Sequence, residues 1–304
     1  MRRRLTCLAL AVSAAAGCGA APGPAPGAAA RQHLSANGPA RATRPAEAHK
    51  APASPARLES GTLRRAVARY LSGRPGRAGV MVTDLRTGRN FGYGERRRFV
   101  TASVMKVNVL AGFLLQRQRA GKRLTAGDRA LAARMIRHSD NTAADALYAR
   151  VGRGPGLTRL NRAFELRDTE PYPTRWGASG TSPADQVRLL RALATGPSPL
   201  NAANRRYALK LMESVEASQA WGVSAAARRG EKVAVKNGWT PLRHQGSGWA
   251  VNSVGRVRGR HHDFLVAVCG NGSPAMATGV TTVERLSSMI VTALRRAGAP
   301  GKSD

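Results

Sequence analysis

The sequence predicts an α+β fold in which one antiparallel sheet is assembled from both ends of the chain, with a helical lobe inserted in the middle. Three observations carry this. Residues 79–85 and 90–93 read as an early hairpin, and 232–236, 249–257 and 264–269 as three late β-rich runs. Between them, residues 103–193 are helical in pattern. Apolar residues at helical spacing flank the whole, with Leu63, Val67 and Leu71 before it and an amphipathic run at 283–294 after it. Strands at both ends with helices between them fit a single sheet better than two separate domains.

The chain has 304 residues, and 42% of them are hydrophobic, enough to build a core. Its 49 Lys+Arg exceed 17 Asp+Glu, a net charge of +32. Arginine supplies nearly all of the excess, 42 against 7 lysines, alongside a heavy load of Ala and Gly. That pattern fits a GC-rich coding bias. The sharper alternative is nucleic-acid binding, but no basic run is interleaved with aromatics that could stack bases, so no nucleic-acid partner is expected. Three cysteines, Cys7, Cys18 and Cys269, are too few for a disulfide scaffold or a Cys-rich zinc module.

Taken in chain order, residues 1–18 read as an export signal. Arg2, Arg3 and Arg4 are followed by a short apolar run and then by Ala15-Ala16-Gly17-Cys18. The last four residues resemble the lipobox of bacterial lipoproteins, which makes Cys18 the expected lipidation site and a lipid anchor the expected link to a membrane. Ala15 stands where leucine is usual, so cleavage without lipid is the alternative. Either way the mature protein is expected outside the cytoplasm, on the outer face of the membrane or secreted. Residues 19–57 hold 14 Ala, 7 Pro and 4 Gly with no apolar period, which predicts a disordered linker. Residues 58–299 are expected to form one domain, a monomer, and 300–304 a tail. Within it, Gly73 and Pro75 stop the first helix, and 86–88 turn the first hairpin.

Chemistry begins at Thr101-Ala-Ser103-Val-Met-Lys106. The helix that follows is apolar nearly all round, so it belongs in the core, where a lysine in the first turn is costly unless it is used or paired. Ser103 and Lys106 are three apart and share a face. A serine hydroxyl needs a base, and a desolvated lysine can be one. The helix start also sets backbone N–H groups beside the serine oxygen. The bland alternative is a capping serine and a solvated lysine, and Ser-x-x-Lys is expected by chance ~0.4 times in a chain of this composition. A second element, His138-Ser139-Asp140-Asn141, ends a helical run. Ser-Asp-Asn arises by chance in about one chain in sixty of this composition. Here Ser139 can relay a proton to a leaving group and Asn141 can bind a substrate amide. The third element, Lys236-Asn237-Gly238-Trp239, ends a strand. Lys-x-Gly is near chance alone and gains weight from its order and its following partner strand.

These three motifs in this order resemble the penicillin-recognising serine enzymes, and most closely the class A β-lactamase group. The resemblance extends through Met135-Ile-Arg-His-Ser-Asp-Asn-Thr-Ala-Ala144, Gly154-Pro-Gly-Leu-Thr158 and Thr181-Ser-Pro-Ala184, covering nearly all of residues 58–299. It implies a β-lactamase/transpeptidase-like fold and a serine hydrolase without cofactor or metal, acting on a β-lactam or a peptidoglycan-like substrate. It further implies Ser103 as acylated nucleophile, Lys106 as its base, Ser139 as proton relay and Asn141 as amide binder. Lys236, Asn237 and Gly238 would bind the substrate carboxylate side, and the N–H groups of Ser103 and Trp239 would form the oxyanion hole.

Departures from the family pattern accompany the likeness. Asn237 replaces the usual Thr or Ser of the third motif. Only 36 residues separate Ser103 from Ser139, a shortened lobe. In the loop that carries the family's deacylating glutamate, Arg167-Asp-Thr-Glu170-Pro171 keeps a Glu-Pro pair, and Thr174 stands where the partner asparagine belongs. Glu170 is the expected deacylation base, with a solvated loop glutamate as the alternative. His261-His262-Asp263 reads as a polar turn rather than a metal site, His138 as a packing or capping residue, and Cys269 as a buried free thiol. Trp221, Trp239 and Trp249 could line a cleft or pack in the core. Two function classes stay open: an acyl-serine hydrolase (β-lactamase, stem peptidase or esterase), and a non-catalytic wall-associated lipoprotein that kept the fold.

Overall fold

A computed structural model of the chain describes residues 60–298. The expected export signal, its Cys18, the linker and the tail lie outside the described residues. The elements run α1 (Ser60–Ser72), β1 (Arg77–Asp84), β2 (Asn90–Tyr93), β3 (Phe99–Val100), a 3-10 turn (Ala102–Val104), α2 (Met105–Arg119), α3 (Ala126–Arg137), α4 (Asn141–Arg150) and α5 (Arg153–Arg162). A second 3-10 turn (Trp176–Ala178), β4 (Gly180–Thr181), α6 (Pro183–Ala194), α7 (Ala202–Glu213), β5 (Lys232–Pro241), β6 (Trp249–Arg258), β7 (Asp263–Ser273) and α8 (Met276–Gly298) follow. No helix of the described residues is long and apolar enough to cross a membrane.

The sheet joins the two ends of the domain as expected. Its order is β2-β1-β7-β6-β5. β1 pairs antiparallel with β7 from Arg77↔Asn271 to Asp84↔Phe264, and β5 pairs with β6 from Lys232↔Arg258 to Pro241↔Trp249. Strand alternation then sorts residues between two cores. On β7, Phe264, Val266 and Val268 pack with Leu286, Ile290 and Val291 of α8. Leu265 and Ala267 pack on the other face with the helical lobe. Burial on both faces is why these strands read as continuous apolar runs rather than as alternating ones.

The lobe is built around α2, whose residues from Met105 through Leu115 are all buried. Four of its helices begin on side-chain caps: Thr125 with Asp128 in a capping box for α3, Asp140 for α4, Ser182 for α6 and Asn201 for α7. The helical reading of 103–193 needs one correction. Between α5 and α6 the chain leaves helix, and β4 pairs with β3. Pro171 and Pro173 disfavour helix here. The buried carboxylate of Asp185 also holds the segment open. It accepts from the backbone N–H groups of Arg167 (3.1 Å) and Asp168 (2.7 Å) and from the Thr169 hydroxyl (2.7 Å). This loop brings residues 172–178 to the site.

Candidate active site

Ser103 sits in the 3-10 turn at the entry to α2, and the turn is fixed from several sides. The Asn252 amide of β6 donates to the carbonyls of Val100 (2.9 Å) and Thr101 (3.1 Å), and Thr101 N–H donates to the Ser179 carbonyl (2.9 Å). Ala102, directly before Ser103, is held at φ +44°. Left-handed backbone at a non-glycine residue costs on the order of 1–3 kcal/mol and persists only where the surroundings over-determine it. Across from the turn runs β5. A Cβ placed on Gly238 would lie 2.6 Å from Ser103 N and 2.7 Å from Val104 N. Only glycine lets the strand come this close, which sets the Gly238–Trp239 peptide beside the helix entry.

Lys106 points from the first turn of α2 and is fully buried. Its Nζ donates to the Ser139 carbonyl (2.5 Å), the Ser139 Oγ (3.1 Å) and the Asn141 Oδ1 (2.8 Å). Burial pushes its pKa down to about 8, against the upward pull of the Asp140 and Asp145 carboxylates. Ser139 reaches this position through its own left-handed backbone, φ +55°, followed at once by Asp140 capping α4 through Ala143 N–H (2.7 Å). Lys236, buried on β5, donates to Ser139 Oγ (2.9 Å) and to the Asn237 carbonyl (2.8 Å). Burial, and then the neighbouring charge of Lys106, holds its pKa well below the usual lysine value. Ser103, Lys106, Ser139, Asn141, Lys236 and Gly238 therefore converge from three separate stretches of chain.

Two expected residues do not join them. Glu170 was the expected deacylation base, but its backbone bridges to Gly180 and its carboxylate pairs with Arg98 at 2.8 Å, with the glutamate side chain 74% exposed. The Glu170 carboxylate is thus held at the surface by Arg98. Asn237 was expected on the substrate carboxylate. Strand alternation turns it to the opposite face from Lys236, where it is fully buried and its amide donates to the carbonyls of Gln219 (2.7 Å) and Trp221 (3.1 Å). Its role is to hold the loop that leads into β5.

Two residues at the site went unread in the sequence. Trp176 lays its ring over Lys106, with Nζ 4.6 Å from the ring centroid. Its indole N–H donates to Asp145 Oδ1 at 2.7 Å. Asp145 was legible in principle, since it lies four residues after Asn141 and therefore on the same helix face. Trp176 had no such signal, because it stands in an irregular loop. Both residues, with Asn141, line a cleft of about 650 Å³ between the 172–178 loop and the β5–β6 turn at 240–245.

The remaining expectations resolve simply. His138 ends α3 and pairs with Glu216. His262 lies in the β6–β7 turn against Asp84 and stacks on Phe264. Cys269 is a buried free thiol, its pKa pushed up to about 12 by burial. Trp221 and Trp239 pack against each other with ring centroids 5.8 Å apart. Among the described residues, no group of three or more His, Cys, Asp or Glu is placed to hold a metal.

Comparison with known proteins supports the family and the fold. A model of the beta-lactamase enzyme family matches residues 62–126 and 114–294. The chain is 27% identical over 200 residues to LppW of Mycobacterium tuberculosis, a protein whose name proposes it to be a lipoprotein. That match covers 62% of this chain and 61% of the relative, so the chain spans less than two thirds of its length. Among solved structures, a PBP-A mutant captured as its acyl-enzyme complex with penicillin G superposes with a TM-score of 0.66 at 19% identity, covering 78% of this chain and 97% of that one. The extended-spectrum β-lactamase TLA-1 gives 0.70 at 15% identity, covering 77% and 99%. At these identities the superpositions establish a β-lactamase/transpeptidase-like fold.

Proposed function

This chain belongs to the beta-lactamase enzyme family, and from that premise we propose that it is an exported serine hydrolase that β-lactams acylate on Ser103. One observation carries the reading: Lys106, three residues after the nucleophile, and Lys236 both donate to Ser139 Oγ. In this reading neutral Lys106 takes the proton from Ser103 Oγ as that oxygen bonds the carbonyl carbon. The oxyanion is held by the backbone N–H groups of Ser103 and Trp239. The C–N bond then breaks, and the proton passes from Lys106 through Ser139 to the leaving nitrogen. Asn141 binds the substrate amide, and Lys236 its carboxylate.

The position of Glu170 favours a penicillin-binding over a penicillin-destroying balance. In this reading the residues for acylation are present, while two carboxylates of the deacylation loop are engaged elsewhere: Glu170 holds Arg98, and Asp168 accepts from Ser182 Oγ and pairs with Arg96. A peptidoglycan-stem amide is then the natural substrate class and the β-lactam its mimic. Export rests on the arginine-led apolar segment before Cys18, and the name of LppW supports a lipid anchor there. A fluorophosphonate titration tests the hydrolase directly. Labelling of wild type and none of Ser103→Ala is expected; equal labelling of both would overturn the assignment.

A further inference from the structure

Hydrolysis of an ester on Ser103 needs a water oxygen to bond the acyl carbon, the Oγ–carbon bond to break, and one water proton to end on Oγ. Such a water needs an acceptor close to the serine. Lys106 is the basic group nearest in the chain, and its Nζ is hemmed in by protein groups. Three protein oxygens crowd its Nζ within 3.1 Å: the carbonyl and hydroxyl of Ser139 and Oδ1 of Asn141. The remaining side is covered by the Trp176 ring, 4.6 Å away.

The ring is fixed where it lies. Its indole N–H is bound by Asp145 at 2.7 Å, and that carboxylate is the acid among the residues lining the cleft. Its backbone carbonyl accepts from Ser179 N–H (3.2 Å) and from the Thr101 hydroxyl (3.4 Å), two residues before Ser103. The Gln245 amide across the cleft holds the Ala178 carbonyl of the same turn (3.1 Å).

We propose that Trp176, clasped by Asp145, is a positioning residue that seals Lys106 from water and so prolongs the acyl-enzyme. This rests on Ser103 being acylated. One large apolar ring does two things at once: it covers the lysine and it occupies the one cleft carboxylate that could otherwise hold a water. Replacing it with a small side chain frees both groups.

The test follows acyl-enzyme decay by intact-mass spectrometry after penicillin G is added and excess removed, in the wild type, Trp176→Ala, Trp176→Phe and Asp145→Asn. Decay in Trp176→Ala is expected to quicken at least tenfold, and a gain in hydrolysis is not what simple loss of structure produces. Trp176→Phe keeps a ring over Lys106 and is expected to stay within about threefold of wild type. Asp145→Asn still accepts the indole N–H through its amide oxygen and is expected to do likewise. Equal or slower decay in Trp176→Ala, with an adduct formed, would overturn the seal alone. An absence of any adduct on folded wild type would overturn the acyl-serine reading and the seal with it.

Discussion

Lys106 and Lys236 donate to the same atom, Ser139 Oγ, at 3.1 and 2.9 Å. A hydroxyl oxygen has two acceptor sites, and both are filled. The hydrogen of Ser139 is therefore directed away from the lysines, which suits it to donate to a substrate atom. Ser139→Ala removes the proposed relay and leaves two buried amines without a shared acceptor. Acylation by penicillin G, followed by stopped-flow mass spectrometry, is expected to slow by about 10²–10⁴. A rate within threefold of wild type would mean that the leaving group is protonated by another route.

The pH dependence of acylation follows from Lys106. Its pKa is lowered to about 8 by burial, and the neutral amine is the form that accepts a proton. The competent fraction thus grows about tenfold per unit below that value and levels off above it. Acylation rates between pH 5.5 and 9 are expected to rise up to about pH 8 and level off above it. A falling profile would place the base elsewhere. Lys106→Ala is expected to cost about 10³ or more at pH 8.

Gly238→Ala tests the close approach of β5 to the serine. The added Cβ meets backbone nitrogen at 2.6 Å, and backbone cannot rotate aside as a side chain does. Overpacking of this kind costs typically about 1–3 kcal/mol. A lowered melting temperature together with lost acylation is the expected pair. Normal acylation would show that the strand can shift without disturbing Ser103.

Glu170→Gln is expected to leave both stability and turnover nearly unchanged. The pair with Arg98 is exposed on both sides, and such bridges contribute about 0–1 kcal/mol. A tenfold fall in steady-state hydrolysis would return Glu170 to the site.

Cys18→Ser tests the anchor. Wild type is expected in the detergent phase of a two-phase extraction and the variant in the aqueous phase. Wild type found in the aqueous phase, with its mature N-terminus elsewhere, would indicate plain secretion.

Most of the sheet was legible, because apolar runs flanked by turns carry strand information locally. The Asn90–Tyr93 strand matches its sequence reading residue for residue. The motif residues were legible for a different reason: Ser103 and Lys106 lie one helical turn apart, so spacing alone places them together. Glu170 misled because a Glu-Pro pair says nothing about which way the side chain faces, and here the bridge to Gly180 turns it outward. Asn237 misled through a neglected parity, since adjacent strand residues face opposite sides. Trp176 was invisible because its position depends on Asp185 pinning the loop from α6 and on Asp145 catching the indole, both long-range contacts.

The central claim is that a base-activated Ser103 is acylated. Its most direct measurement is peptide mapping of the protein after exposure to penicillin G. One penicilloyl group on Ser103 is expected in wild type and none anywhere in Ser103→Ala. An adduct on another residue, or one that survives in Ser103→Ala, would contradict it.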